Sequence, residues 1–151
     1  MSLIRLSRIR TDIIHKININ PHAMRRVEHP IKPPKKCFNC NSKVVLQHAD
    51  DVFGRALGAW PWLYICTRCN CRVGTHPGTD IPMGILADHE TRKARQISKS
   101  LFIDWAKRNN YSQTRRYELL SSMLDIKITK CHFAMFDLDT CKSVIQLLTR
   151  H

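Results

Sequence analysis

Two short runs, Cys37-Phe38-Asn39-Cys40 and Cys66-Thr67-Arg68-Cys69, constrain this chain more than any other feature. Four thiolates delivered as two C-x-x-C pairs complete the tetrahedral shell of a structural zinc, at about 2.3 Å from each sulfur. The total of seven cysteines is odd, which argues against a disulfide framework and for free thiols in a reducing compartment, the cytoplasm. Asn41 and Asn70 follow the two pairs and tolerate the tight turn that a knuckle requires. Between the pairs, residues 43–46 and 62–65 are β-branched and aromatic and predict two strands of a ribbon hairpin. The connection over residues 48–61 is long for a hairpin and has room for a third strand or an Ω-type loop. Cys71 offers itself as an alternative ligand to Cys69, because alternation along a strand points both to one face. The C-x-x-C spacing favours Cys69 and leaves Cys71 to the core. A closed four-sulfur shell has no open position, so this Zn2+ holds the fold and performs no hydrolysis.

Charge gives the second constraint. The 151 residues carry 25 Lys+Arg against 12 Asp+Glu, a formal charge of +13. Nine of those bases and only two acids lie in residues 1–36. There Leu3, Leu6, Ile9, Ile13 and Ile17 recur at helical spacing, with Arg5, Arg8 and Arg10 close by. Residues 18–36 contain Pro21, Pro30, Pro33 and Pro34 and read as an extended basic linker bearing Arg25 and Arg26. Two readings lead for this arm, a helix packed on the domain or on a partner with its charges solvated, or a basic arm on nucleic-acid phosphates, with membrane-surface binding or targeting behind them. An Arg-rich, acid-poor start is also the form of a mitochondrial presequence. No secretory signal is recognisable. The longest uncharged stretch, residues 56–67, is 12 residues long, where a membrane span needs roughly 20.

After the second cysteine pair, residues 73–84 hold three glycines, two prolines, His76, Thr79 and Asp80. Such a loop either fixes the turn into the next helix or presents backbone N–H groups and hydroxyls to an anion. The helix that follows, predicted over residues 85–108, carries Arg92, Lys93, Arg95 and Lys99 near its middle. Its apolar stripe is read as Leu86, Ala94, Ile97, Leu101 and Trp105. His76, Thr79, Arg92 and Arg95 are the candidate anion contacts, and the Walker pattern is absent. A catalytic His76/Asp80 pair ranks last, since no nucleophile triad or second metal cluster accompanies it.

Ser112 predicts an N-cap for a second helix reaching Leu124, with Tyr117, Leu120 and Leu124 on one face. Residues 126–136 are read as a connection holding a brief strand. Asp137 or Asp139 then caps a last helix with Cys141, Val144, Ile145 and Leu148 inward. Two helices with an intervening turn invite a helix-turn-helix reading, but the connection of about a dozen residues is longer than the usual ~3–4 and ranks that reading low. Cys131, His132 and Cys141 could supply a second metal site, but they lack a close C-x-x-C pair and core packing is favoured.

The C-x-x-C run, the Val73-Gly74-x-His76-x-Gly78-Thr79-x-x-Pro82-x-Gly84-x-Leu86-Ala87 run and Cys131-His132-Phe133-Ala134-Met135-Phe136-Asp137 together resemble a zinc-finger-containing family of uncharacterised phage and prophage proteins. The likeness spans about residues 37–148, with Ala134 where that family usually has glycine and Met83 where leucine is common. It implies zinc and a phage origin, and no settled activity.

The expected architecture is α+β: a basic N-terminal arm and linker over 1–36, a four-cysteine zinc ribbon over 37–80 (a β hairpin or small three-stranded sheet), and a three-helix region over 81–151 packed on the ribbon. The expected function is a zinc-ribbon nucleic-acid-binding accessory protein, with DNA or RNA as partner. Phosphates would be contacted by the arm and the helix, and Phe53, Trp60, Trp62 and Tyr64 compete between stacking on bases and forming the ribbon core. The alternative is a module that docks on a host or phage protein complex, such as a polymerase or defence machine. A zinc-ribbon nuclease is the third class.

Overall fold

The computed structural model describes residues 15–55 and 58–149, which divide into two compact units, one ending at Asp88 and the other starting at His89. The leucine and isoleucine repeat before Ile17 and the basic side chains Arg5, Arg8 and Arg10 lie outside the described residues.

The first unit is built on an antiparallel sheet of three strands, β1 (Val44–His48), β2 (Trp62–Cys66) and β3 (Arg72–Gly74), in the order β1-β2-β3. Val44 pairs with Cys66 and His48 with Trp62; Leu63 pairs with Gly74 and Ile65 with Arg72. Alternation along these strands sorts their side chains onto two faces. Val44, Leu46, Tyr64, Cys66 and Val73 join Cys37, Cys69 and Cys71 on one face. Val45, Leu63 and Ile65 face the other way, against Ala49, Val52 and Phe53. The central strand β2 is thus covered on both sides, which accounts for its unbroken apolar run.

Two elements depart from the sequence expectation. Within the supposed linker, Pro21–Arg26 forms a short helix, α1. Pro21 sits in its first turn, where a missing N–H costs nothing, and the Asn20 side chain accepts from the N–H groups of His22 (2.9 Å) and Ala23 (3.4 Å). The proline that forbids a continuous helix therefore begins a short one. The 48–61 connection holds neither a strand nor an Ω-loop at its start but a second short helix, α2 (Ala49–Phe53). His48 Nδ1 caps it by accepting from the Asp50 N–H at 3.1 Å, and Gly54 ends it at φ 74°. The third strand comes later, as β3.

The second unit contains α3 (His89–Arg108), α4 (Gln113–Leu124) and α5 (Leu138–Thr149), so the described chain has five α-helices, three of them in this region. Helix α3 starts four residues later than predicted. The Ala87 backbone is already committed, its N–H and C=O both bonded to Arg72 at 3.0 Å, so Leu86 packs beneath the sheet and not along a helix. The buried side of α3 is Thr91, Ala94, Ser98, Phe102, Trp105 and Ala106, while Ile97 is 46% exposed. Ala94 and Trp105 of the predicted stripe are buried and Leu101 packs against the same core; within α3 Ile97 turns outward and Ser98, which lies against Cys141 of α5, is buried instead. Phe102 centres an aromatic cluster, 5.9 Å from Trp105, 5.0 Å from Tyr117 and 5.2 Å from Phe133 between ring centres.

Ser112 caps α4 as expected, accepting from the Arg115 N–H at 3.1 Å, and Asp137 caps α5 by accepting from the Thr140 N–H at 2.8 Å. That N–H and the Thr140 hydroxyl hold the Asp137 carboxyl below its ordinary range. Residues 126–136 form no strand. Two 3₁₀ turns, Ile128–Lys130 and Phe133–Met135, drop Cys131, Phe133 and Phe136 into the core instead. Cys131 and Cys141 are both fully buried there, and His132 is exposed.

Candidate metal centre

The two knuckles are built alike. In the first, the Cys37 N–H donates to the Ser42 carbonyl at 2.9 Å, and Asn41 adopts φ 61°. In the second, the Cys66 N–H donates to the Cys71 carbonyl at 2.8 Å, and Asn70 adopts φ 70°. Asparagine tolerates this left-handed conformation better than most residues, which is why it stands at both positions. Inside each turn a backbone N–H is aimed at the leading sulfur: Asn39 at Cys37 Sγ and Arg68 at Cys66 Sγ, both at 3.4 Å.

Strand pairing brings the knuckles together. The Lys36–Lys43 bridge and the β1–β2 ladder set Cys37 and Cys40 against Cys66 and Cys69. Cys37 Sγ lies 3.4 Å from Cys69 Sγ, and Cys40 Sγ 3.4 Å from Cys66 Sγ. All four sulfurs fall within 4.8 Å of one another. Tetrahedral bonds of about 2.3 Å place sulfurs roughly 3.8 Å apart, so the cluster is compatible with one structural Zn2+. All seven cysteines are free thiols, and Cys37, Cys66 and Cys69 are buried.

Burial opposes charge at these thiols, but local donors divide them. It pushes Cys66 up to about 12 and raises Cys37. At Cys69 burial is outweighed by the Cys71 N–H and by neighbouring thiols, and the group falls to about 6. The Ser42 hydroxyl and N–H lower Cys40. Such a set gives up protons when it takes a metal.

Cys71 stands two residues after Cys69, as Ser42 stands two residues after Cys40. Its sulfur is 3.4 Å from Cys69 Sγ and fully buried, and the Ser42 hydroxyl likewise lies against Cys40. The two positions are equivalent supports behind the knuckles.

The other sequence candidates are spread over both units. Arg25 and Arg26 are exposed on α1, where Arg25 reaches His22 Nδ1 at 2.9 Å and Arg26 donates to the His22 carbonyl at 3.3 Å. His76 is half-buried in the loop after β3. Thr79 is fully buried there, its hydroxyl donating to the His76 carbonyl at 2.8 Å and accepting from the Ile81 N–H at 3.0 Å. The Asp80 carbonyl accepts from the Tyr64 hydroxyl at 2.6 Å. On α3, Lys93 and Lys99 are exposed, Arg92 is half-buried, and Arg95 donates from Nε to the Phe136 carbonyl at 2.8 Å. Among the aromatics, Tyr64 is buried. Trp60 donates to Thr75 Oγ1 and the Thr79 carbonyl at 2.9 Å each, and Arg72 lies 4.6 Å over the Phe53 ring.

Sequence reasoning missed Phe38, which is 68% exposed inside the first knuckle; Lys36, Lys43 and Arg68, in or next to the two knuckles in sequence, are exposed as well. Its signal was an aromatic residue at a position between two ligands, where the side chain has no core to enter. Among the described residues no helix is long and apolar enough to cross a membrane. No curated protein and no solved structure gives a significant match to the chain. A family model described as a zinc-finger-containing domain matches residues 33–151, covering both knuckles and all three long helices, and the chain belongs to that family.

Proposed function

We propose that this zinc-binding protein is a nucleic-acid-binding accessory factor whose zinc knuckles present a contact surface for single strands. The observation that carries the reading is the knuckle end of the sheet. There Phe38 is 68% exposed, and Lys36, Lys43 and Arg68, which lie in or next to the two knuckles in sequence, are exposed as well. Lys36 and Lys43 are cross-strand partners, and the Lys43 carbonyl accepts from both the N–H and the hydroxyl of Thr67, at 2.9 Å each, so Arg68 follows directly. Among the described residues no carboxylate pairs with Lys36, Lys43 or Arg68. An exposed ring flanked by unneutralised cations matches what a base and its phosphates require. Arg25 and Arg26 on α1 and, separately, Lys93 and Lys99 on α3 are further exposed cations available to phosphates. The phage setting rests on the motif resemblance alone.

The test is a salt titration of the zinc-loaded protein with single-stranded and duplex DNA and RNA. Binding is expected to weaken steeply with salt, and removing one of Lys36, Lys43 or Arg68 lowers the magnitude of the log–log slope by about 1. Phe38→Ala is expected to cost about 1–3 kcal/mol on single strands and less on duplex. Binding that is absent at low salt overturns the proposal in favour of docking on an acidic protein surface of a host or phage complex.

A further inference from the structure

We propose that His15, Asp50 and Asp51 form a second cation site, for a divalent first-row transition metal, separate from the four-sulfur cluster. His15 comes from the segment before α1, and the two aspartates form the first turn of α2. His15 Nδ1 lies 3.0 Å from Asp51 Oδ1, and Nε2 lies 3.7 Å from Asp50 Oδ2. One ring nitrogen and one oxygen from each carboxylate fall within 4.8 Å of one another. Bonds of about 2.0–2.2 Å to imidazole nitrogen and carboxylate oxygen span such a set.

Three observations favour an ion over a simple ion pair. The Asp51 side chain is only 6% exposed, and a carboxylate so far out of water needs a compensating charge. The chain holds 25 Lys+Arg, yet among the described residues neither aspartate pairs with any of them; the one partner they share is a histidine. The His15 ring is held in place by stacking on His48, with ring centres 3.8 Å apart and planes 8° from parallel. His48 is itself fixed, its Nδ1 taking the Asp50 N–H at 3.1 Å and its ring meeting Trp62 edge-on. A ligand braced from behind in this way is typical of a metal site, where outer contacts set the ring's orientation.

The donor set decides the class of metal. One imidazole and two carboxylates are harder ligands than thiolates, and they suit Zn2+, Mn2+ or Fe2+ and not Cu(I). Three protein donors leave coordination positions free, and a cavity of about 340 Å³, whose lining includes His15, Lys16, His48, Asp51, Leu46 and Trp62, adjoins them. The two sites are therefore chemically distinct: a closed sulfur shell and an open nitrogen–oxygen one.

The test is isothermal titration of the full chain, already holding one Zn2+, with further Zn2+ and separately with Mn2+, followed by metal analysis after desalting. The expected result is a second equivalent in the wild type that is absent from both His15→Ala and Asp51→Asn, each still holding the first. His15→Ala spares the sheet and α2, so it reports even if the buried Asp51→Asn change perturbs folding. A wild type that takes up no second equivalent overturns the proposal. So does a second equivalent that survives both substitutions.

Discussion

At the scale of single residues, the four-cysteine cluster has five cysteines at or near it, and only position separates ligand from support. Cys66 ends β2 with its sulfur inside the cluster and accepts from the Arg68 N–H at 3.4 Å, while Cys71 occupies the place that Ser42 fills behind the other knuckle. This difference predicts opposite outcomes for two similar substitutions. Cys71→Ala should keep one Zn2+ per chain and cost about 1–2 kcal/mol for the small cavity left in the core. Cys66→Ser should lose the metal and, with it, most of the roughly 10–16 kcal/mol that a structural zinc lends to folding. Zinc content by elemental analysis and a thermal melt of each variant read the two effects separately. Zinc loss in Cys71→Ala would assign it to the shell in place of Cys69.

At the scale of elements, α1 is anchored to the loop after β3 by a contact that leaves no room for a side chain. The Asn20 N–H donates to the Gly78 carbonyl at 2.8 Å, Gly78 adopts φ 79°, and a Cβ on it would stand 2.9 Å from the Ala23 Cβ. Gly78→Ala therefore meets both a disfavoured backbone and a clash, and is expected to destabilise the protein by roughly 1–3 kcal/mol. Gly54→Ala, at φ 74° with nothing within 4 Å, bears the backbone penalty alone and should cost less in the same melt. Equal costs would show that the close approach to α1 contributes nothing. The same contact explains what was legible in the sequence. Knuckles, β1, β2, α4 and its Ser112 cap follow from local spacing, and local spacing is what a sequence displays. Helix α1 was hidden because a six-residue helix is fixed by an Asn–Pro start and a distant glycine, not by periodicity. The buried side of α3 was misassigned at Ile97 for a related reason: the contact with α5 selects small residues, and hydropathy alone selects large ones. His15 lies 35 residues from Asp50, a separation with no motif to announce it.

At the scale of the whole molecule, the two units rest on different sources of stability. The first has thin cores on either side of a three-stranded sheet, with three of its four clustered cysteines among the buried residues. The second is organised by Phe102, Trp105, Phe133 and Phe136 between helices of 20, 12 and 12 residues. Large aromatic side chains that bury fully on folding supply a core without metal. Without Zn2+ the first unit retains buried thiols, one of them pushed up to about 12, and loses the metal bonds that reinforce the strand pairing between the Cys37 knuckle and the Cys66 knuckle. Chelation should therefore act unevenly. Hydrogen-exchange protection of amides in Val44–His48 and Trp62–Cys66 is expected to collapse, while amides within His89–Arg108 and Leu138–Thr149 stay protected and the helical circular-dichroism signal largely persists. Re-addition of one equivalent of Zn2+ should restore the strand amides. Loss of protection in both units at the same chelator concentration would mean that the zinc site governs one cooperative fold. The +13 charge sharpens the argument, because a surface that repels itself favours the compact state least where the core is thinnest, around the knuckles. A phosphate-bearing strand bound at Lys36, Lys43 and Arg68 would relieve that repulsion. If the proposed interface is correct, an oligonucleotide should slow zinc loss to a chelator in proportion to its affinity, and substituting these three side chains should abolish the protection without lowering the zinc content at the start.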